Sequence, residues 1–454
     1  MNRRLNIKIV TVLGLVVLLL VPLGMIRGLV DERAQRRDET VAGIVDSFSR
    51  EQLLAGPLIV VPWERTVRET GTAQSNGETL VVEKIESGRL HFLPERFAFD
   101  ARLATEVRER GIYRALLYRT QGTLKGSFHV PADFGLGTEA ARYRFGTPWL
   151  AIGVGDIRGI GNVPELRIEG RSLPFRPGTL TLPLREGIHA PLDGVDVAGH
   201  TLAFEVGLTL AGSGSLRVVP VGRETTATLS GDWPHPGFGG NLLPAERTVR
   251  TDGFDARWRT SFFATDMEKA LRNCVAEPDC GSFRGKAFGV DLVDPVDQYL
   301  KSERALKYAL LFVGLAFAGF FLFEVLKRVD LNPVQYGLVG LALAVFYLLL
   351  LSLSEHIGFA AAYAVSATAC VSLIGSYVGA ILGGARRGAG FAGTLAGLYA
   401  LLYGLLGSED YALLMGSVLV FALLAAVMIF TRRVDWNATG GPLPAPANPL
   451  QNMT

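Results

Sequence analysis

The sequence predicts a multipass α-helical membrane protein with six transmembrane helices and a large, inserted, β-rich module of sandwich-like architecture. Three observations carry this reading. Six long apolar segments stand out: Ile9–Ile26, Ala305–Leu326, Val334–Leu353, Ile357–Leu382, Ala389–Leu406 and Ala412–Phe430. Each approaches or exceeds the ~18–20 residues that a helix needs to cross hydrocarbon. The stretch between the first two is punctuated by Gly and Pro at short intervals and alternates apolar with polar residues, as strands do. The short connectors alternate in charge.

Arg3, Arg4 and Lys8 precede the first segment. Lys327 and Arg328 follow the second, Arg386 and Arg387 the fourth, and Arg432 and Arg433 the sixth, whereas the other two connectors carry Glu355 and Glu409-Asp410. Basic residues stay on the cytoplasmic side, so both termini are expected there, with Arg27–Arg304 outside. Arg27, Arg33, Arg36 and Arg37 lie just beyond the first segment, so its own flanks discriminate little and the later basic pairs decide. That segment is longer than a signal-peptide core and lacks a small-x-small cleavage site, which predicts an uncleaved anchor.

The 454 residues carry a formal net charge of +2. There is no basic stripe with interleaved aromatics, which argues against nucleic-acid binding. After the anchor, Val41, Ile44, Val45, Phe48 and Leu53 follow helical spacing, predicting a helix that rises from the membrane and stops at Gly56-Pro57. Its apolar stripe would pack on the outer module, or else pair with a second copy. From Leu58 to Phe263 the pattern is β: Leu58–Val61, Leu90–Leu93, Phe97–Leu103, Leu124–Val130, Thr201–Leu210, Leu216–Val219, Thr225–Ser230 and Phe254–Phe263 read as strands. The last places Phe254, Ala256, Trp258, Thr260 and Phe262 on one face and Arg257 and Arg259 on the other. An antiparallel arrangement is expected, since no strand–helix alternation is present. Asp266–Asn273 reads as a helical turn, and Val296–Glu303 leads to the second membrane segment. The tail Thr439–Thr454 has the composition of a disordered segment.

Of three cysteines, Cys274 and Cys280 share the external region and are separated by five residues including a proline, which predicts a disulfide. Cys370 reads as a small packing residue in the fourth segment. Gly281–Lys286 and Gly153–Gly159 each miss a nucleotide-binding pattern by one residue, and the second is read as a turn between strands. Gly212–Ser215 reads as a hairpin. Asp232-Trp233-Pro-His235-Pro is a rigid turn in which His235 and Asp232 are the nearest approach to an acid–base pair. Glu355 and His356, with Ser352 and Ser354, close the third membrane segment, and Glu324 lies near the end of the second. Their positions near segment ends point to interfacial anchoring rather than an ion pathway. Gly375, Gly379 and Gly383 in the fourth segment and Gly393 and Gly397 in the fifth have the small-xxx-small spacing of close helix packing, compatible also with a homo-oligomer. No cofactor loop or metal cluster is evident.

Gly56–Pro62, Gly111-Ile-Tyr, Val154–Gly159, Val218–Arg223, Trp233–Pro236, Leu243-Pro244, Asp297–Tyr299, Lys307-Tyr308 and Leu351–Gly358 together resemble the inner membrane protein CreD family, also described as cell-envelope-integrity proteins. The resemblance runs from about Pro22 to Trp436; the cysteine pair and the proline-rich tail depart from it. It implies a multipass bacterial inner-membrane protein linked to a two-component regulon, envelope integrity and stress response. It supplies no catalytic residues. The expected organisation is residues 1–26 as stub and first helix, 27–304 as periplasmic module (27–55 helix, 56–265 mainly β, 266–304 return), 305–433 as a five-helix bundle and 434–454 as tail. The expected function is non-catalytic, with the module binding a partner or envelope component; the alternatives are a small-molecule transporter or channel and, behind it, a periplasmic hydrolase.

Overall fold

The computed structural model describes residues 3–72, 79–181, 184, 186–276, 280–294, 298–327, 332–381 and 383–407, with isolated positions beyond. The chain divides into two compact units, a helical one (Met1–Asp38 with Val296–Thr454) and a β-rich one (Glu39–Pro295). The first helix, α1 (Arg3–Asp46), contributes residues to both.

The β unit contains β1 (Gln52–Thr72), β2 (Thr79–Phe92), β3 (Arg96–Arg110), β4 (Tyr113–His129), β5 (Arg144–Phe145), β6 (Trp149–Gly153), β7 (Glu165–Ile168), β8 (Arg171–Pro174) and β9 (Arg176–Pro177). It continues with β10 (Gly187–Pro191), β11 (Thr201–Ser213), β12 (Ser215–Val218), β13 (Glu224–Gly231), β14 (Pro236–Gly240), β15 (Glu246–Arg250), β16 (Gly253–Ser261) and β17 (Phe288–Leu292). One sheet has the order β14-β17-β12-β1-β6-β10-β9, with β2 and β5 also paired to β1; the other runs β15-β16-β13-β3-β4-β11-β7-β8. The two sheets bury one common core. In β11, Leu202, Phe204, Val206, Leu208 and Leu210 are buried at every second position, the signature of a strand with one face on the core. In β6 every residue is buried, so that strand is covered on both faces.

Several expectations are corrected. The helix after the anchor ends at Asp46, not at Gly56-Pro57, which lie inside β1 at a shift in its register with β6. A bulge absorbs the proline there without ending the strand. Leu58–Val61 is thus the buried middle of a 21-residue strand. The sheets are not wholly antiparallel: β1 pairs with β12, and β3 with β13, in parallel. Both pairs join segments far apart in sequence, which no local pattern signals. Gly212–Ser215 is not a hairpin. β11 and β12 belong to different sheets, and Gly214, at φ +66°, turns the chain between them. The strand ending in Phe263 stops at Ser261, where α2 (Phe262–Thr265) begins. Then come α3 (Met267–Ala276) and α4 (Gly281–Arg284).

The start of β1 is tied down by a buried polar knot. Gln52 Nε2 donates to Ser49 Oγ (2.9 Å), Asp156 O (3.1 Å) and Ala211 O (2.9 Å). Asp156 accepts the Arg50 backbone N–H at 3.0 Å and a two-pronged ion pair from Arg158 at 3.0 and 2.7 Å. Arg158 Nη1 also donates to Asp46 O at 2.6 Å, capping the end of α1. Gly155 permits this approach: a Cβ there would lie 2.5 Å from Glu51 O.

The helical unit adds α5 (Gln298–Lys307), α6 (Ala309–Lys327), α7 (Pro333–Ile357), α8 (Phe359–Ile381) and α9 (Ala385–Gly407). Among the described residues, four helices, α1, α7, α8 and α9, are long and apolar enough to cross a membrane; α5 with α6 is a fifth candidate, bent by 47°. The expected straight segment Ala305–Leu326 is therefore broken, at Tyr308. The expected sixth, Ala412–Phe430, and the tail lie largely outside the described residues, so six helices are not established. Gly375 and Gly379 do meet a neighbouring helix, but through Gly388: a Cβ on Gly388 would lie 2.7 Å from Gly375 O and from Gly379 Cα. Gly383 sits after α8 at φ +62°, and Gly393 and Gly397 face no atom within 4 Å among the described residues.

Candidate functional site

The residues singled out in the sequence occupy separate places. Asp232 accepts hydrogen bonds from the Thr105 backbone N–H (2.9 Å) and hydroxyl (2.8 Å). Trp233 Nε1 donates to Val293 O at 2.9 Å, and His235 O accepts from the Val293 N–H at 3.2 Å. Trp233 and His235 meet edge to face, with centroids 6.1 Å apart. The cluster pins the turn between β13 and β14 to neighbouring strands; Asp232 is aimed at Thr105. Cys274 and Cys280 are joined in a disulfide spanning 4.4 Å between Cα atoms, and both are buried in the β core.

In the helical unit, Glu355 has only 9% of its side chain exposed. It accepts a hydrogen bond from Tyr299 at 3.0 Å and lies 3.9 Å from Arg33. Arg37 lies over the Tyr299 ring, 5.4 Å from its centroid. His356, one residue on, is exposed. Glu324 is buried and accepts from Tyr336 at 2.7 Å. Two of the basic residues that blurred the flank of the first segment are thus engaged at one end of the bundle.

The β unit also holds a concavity that sequence reasoning missed. A cleft of about 810 Å³ lies over β5, β1 and β2. Directly opposed residues share a face. The register places Val60 beside His91 and Trp149, Pro62 beside Arg89, and Glu64 beside Ser87 and Arg144. Of these residues, Pro62, Glu64, Ser87, Arg89, His91 and Arg144 line the cleft. Thr181 closes one side: its hydroxyl is 2.6 Å from His91 Nε2, while Trp149 Nε1 donates to Thr179 O at 3.0 Å. Val275, in α3, lines it as well. Trp63, also in the lining, lies edge to face with Tyr143 at 5.0 Å and packs over Gly88, where a Cβ would fall 2.5 Å from the indole.

Burial, reinforced by the nearby Arg89 charge, pushes His91 down to about 4, so the imidazole is neutral at physiological pH. The Arg89 guanidinium lies over Trp149, 6.0 Å from the ring centroid. Arg89 and Arg144 are exposed in the cleft, and neither has a carboxylate within ion-pair distance among the described residues. Glu64 is the one acid among the described lining residues. The arrangement can hold an anionic group between Arg89 and Arg144. The only sequence trace of it was the strand at Leu90–Leu93, and nothing local linked β2 to Arg144.

The sequence matches the family described as "Inner membrane protein CreD" over residues 4–437. It is 39% identical over 431 residues to Inner membrane protein CreD of Escherichia coli (strain K12), covering 95% of this chain and 93% of that protein. Among solved structures, an M1 zinc metallopeptidase of Deinococcus radiodurans aligns with 37% of this chain and 39% of its own at 9% identity and a TM-score of 0.20. Native yeast leukotriene A4 hydrolase aligns with 48% of this chain and 35% of its own, at 9% identity and a TM-score of 0.18. Likenesses at that level say nothing of activity. The match along nearly the whole sequence, with the apolar helices, does decide kinship: the chain belongs to the inner membrane protein CreD family.

Proposed function

We propose that this protein is a non-catalytic envelope-integrity and stress-response protein. In this reading both termini are cytoplasmic, the β unit is periplasmic, and its cleft binds an anionic envelope component. The observation that carries the binding role is the pair of exposed arginines, Arg89 and Arg144, converging on one cleft with a single acid between them. Guanidinium groups without a protein carboxylate are suited to recognising carboxylate or phosphate. Asp232 and His235 act in turn geometry, since Asp232 is committed to Thr105.

The test uses the full-length protein in lipid nanodiscs and purified muropeptides as probe, read by isothermal titration calorimetry. Binding that weakens about tenfold or more in Arg89→Ala and Arg144→Ala, and weakens further with salt, is expected for charge-assisted contacts. No binding, or binding unchanged in both variants, overturns this ligand class. In cells, Asp232→Ala, His235→Ala and Glu355→Ala should retain the envelope phenotype, whereas deletion of the β unit should abolish it.

A further inference from the structure

The centre of the helical unit holds a polar cluster that the sequence reading did not foresee. Tyr347 lies two residues from the midpoint of α7, Cys370 at the midpoint of α8 and Tyr399 three residues past the midpoint of α9. Tyr363 donates to Tyr399 O at 2.6 Å. The Tyr399 hydroxyl donates to Cys370 Sγ at 3.2 Å, and the Cys370 thiol lies 3.5 Å from Ala342 O. Tyr347 is buried in the same core cluster as Tyr363 and Cys370. Ser366 lies between those two on the same face of α8, three residues from one and four from the other.

Two hydroxyls in this cluster are left over. Tyr347 is 2% exposed and Ser366 0%, and neither hydroxyl has a hydrogen-bond partner among the described residues. Their neighbours show the usual solutions. Ser354, Thr368, Ser376 and Thr394 each donate to a carbonyl three or four residues back. Tyr299, Tyr336, Tyr363 and Tyr399 each reach a partner. A hydroxyl buried in hydrocarbon without a partner is costly, so each of these two calls for a partner that no described residue supplies. The five side chains carry no formal charge, so a neutral hydrogen-bonding molecule fits them and an ion does not.

We infer that Tyr347 and Ser366 bind water at the mid-depth of the bundle, with Tyr363, Cys370 and Tyr399 completing a neutral polar site. Buried waters need two to four such partners. The bundle is then a polar-centred body with a hydrated core, and its site takes neutral hydroxylic groups.

Cys370 is a built-in reporter, with its S–H stretch readable by infrared spectroscopy of the full chain in nanodiscs; Cys370→Ser assigns the band. On transfer to D2O the band should convert within minutes. In Tyr347→Phe/Ser366→Ala, conversion should slow about tenfold or more as the water is lost. The single variants Tyr347→Phe and Ser366→Ala should lower the melting temperature of the helical unit, because each removes a made hydrogen bond. A dry cluster gives the opposite sign, since deleting an orphan hydroxyl relieves its burial. An S–H band that persists for hours in the parent protein, or melting temperatures raised in both variants, overturns the proposal.

Discussion

Asp156 shows how one side chain can decide where a helix stops and a sheet starts. It is 7% exposed and bound by Arg158 and by backbone N–H groups. Its hydrogen bond from Arg158, with those from the backbone of Arg50 and Arg158, holds its carboxyl down to about 2. Depression below the unfolded value means the stabilisation is fully present above about pH 4 and is lost as pH falls through about 2. Asp156→Asn should therefore cost about 2 kcal/mol at pH 7, and the gap between variant and parent should close in that acid range. Denaturant unfolding at a series of pH values checks this; a gap independent of pH contradicts it. The cysteines give a second residue-scale prediction. With Cys274 and Cys280 bonded, thiol labelling of denatured, unreduced protein should modify Cys370 alone. Labelling at all three positions contradicts the bridge.

At the scale of elements, β1 is the organiser. Its first residues pair with β12, its middle with β6 and β2, and its end with β5 and β2. The sheet core also includes Phe288 and Val290 of β17 and Met267, Leu271 and Phe283 from the helices before it. Ile44, in α1, packs on Ala115 and Leu117 of β4. The foldable segment is accordingly 39–295, and the β-patterned stretch 58–263 alone lacks the start of β1 and all of β17. Expressed separately, 39–295 should be soluble, with a circular dichroism spectrum dominated by strand, while 58–263 should aggregate. A well-folded 58–263 fragment would show that β17 and the beginning of β1 are dispensable. The strand periodicities of β3, β11 and β16 were legible in sequence because alternation is a local signal. The pairings β1–β12 and β3–β13 were not, because the residues that choose a parallel partner lie more than a hundred positions away.

At the scale of the whole molecule, the basic pairs after alternate apolar segments predict that both ends of the chain lie in the cytoplasm. A phosphatase reporter active only in the periplasm should be silent when fused after Arg433 and active when inserted within 39–295. Activity at the C-terminal fusion overturns that topology. The ion pairing of Arg33 with Glu355 bears on the one ambiguity in the charge pattern, because a paired arginine weighs less as a free topological signal.

The sequence alone determined that apolar helices and a β-rich region share one chain, and its scattered motifs established family resemblance. Apolar run length, alternation and connector charge act over a few neighbouring residues and so survive in one dimension. Only the tertiary structure decided the sites. Glu64, Arg89, Arg144 and Thr181 become one cleft through strand register. Tyr347, Tyr363, Cys370 and Tyr399 become one cluster through the packing of three helices. In both cases the chemistry depends on which residues face each other across a pairing, and that choice is made by burial of the whole core rather than by any local run of sequence.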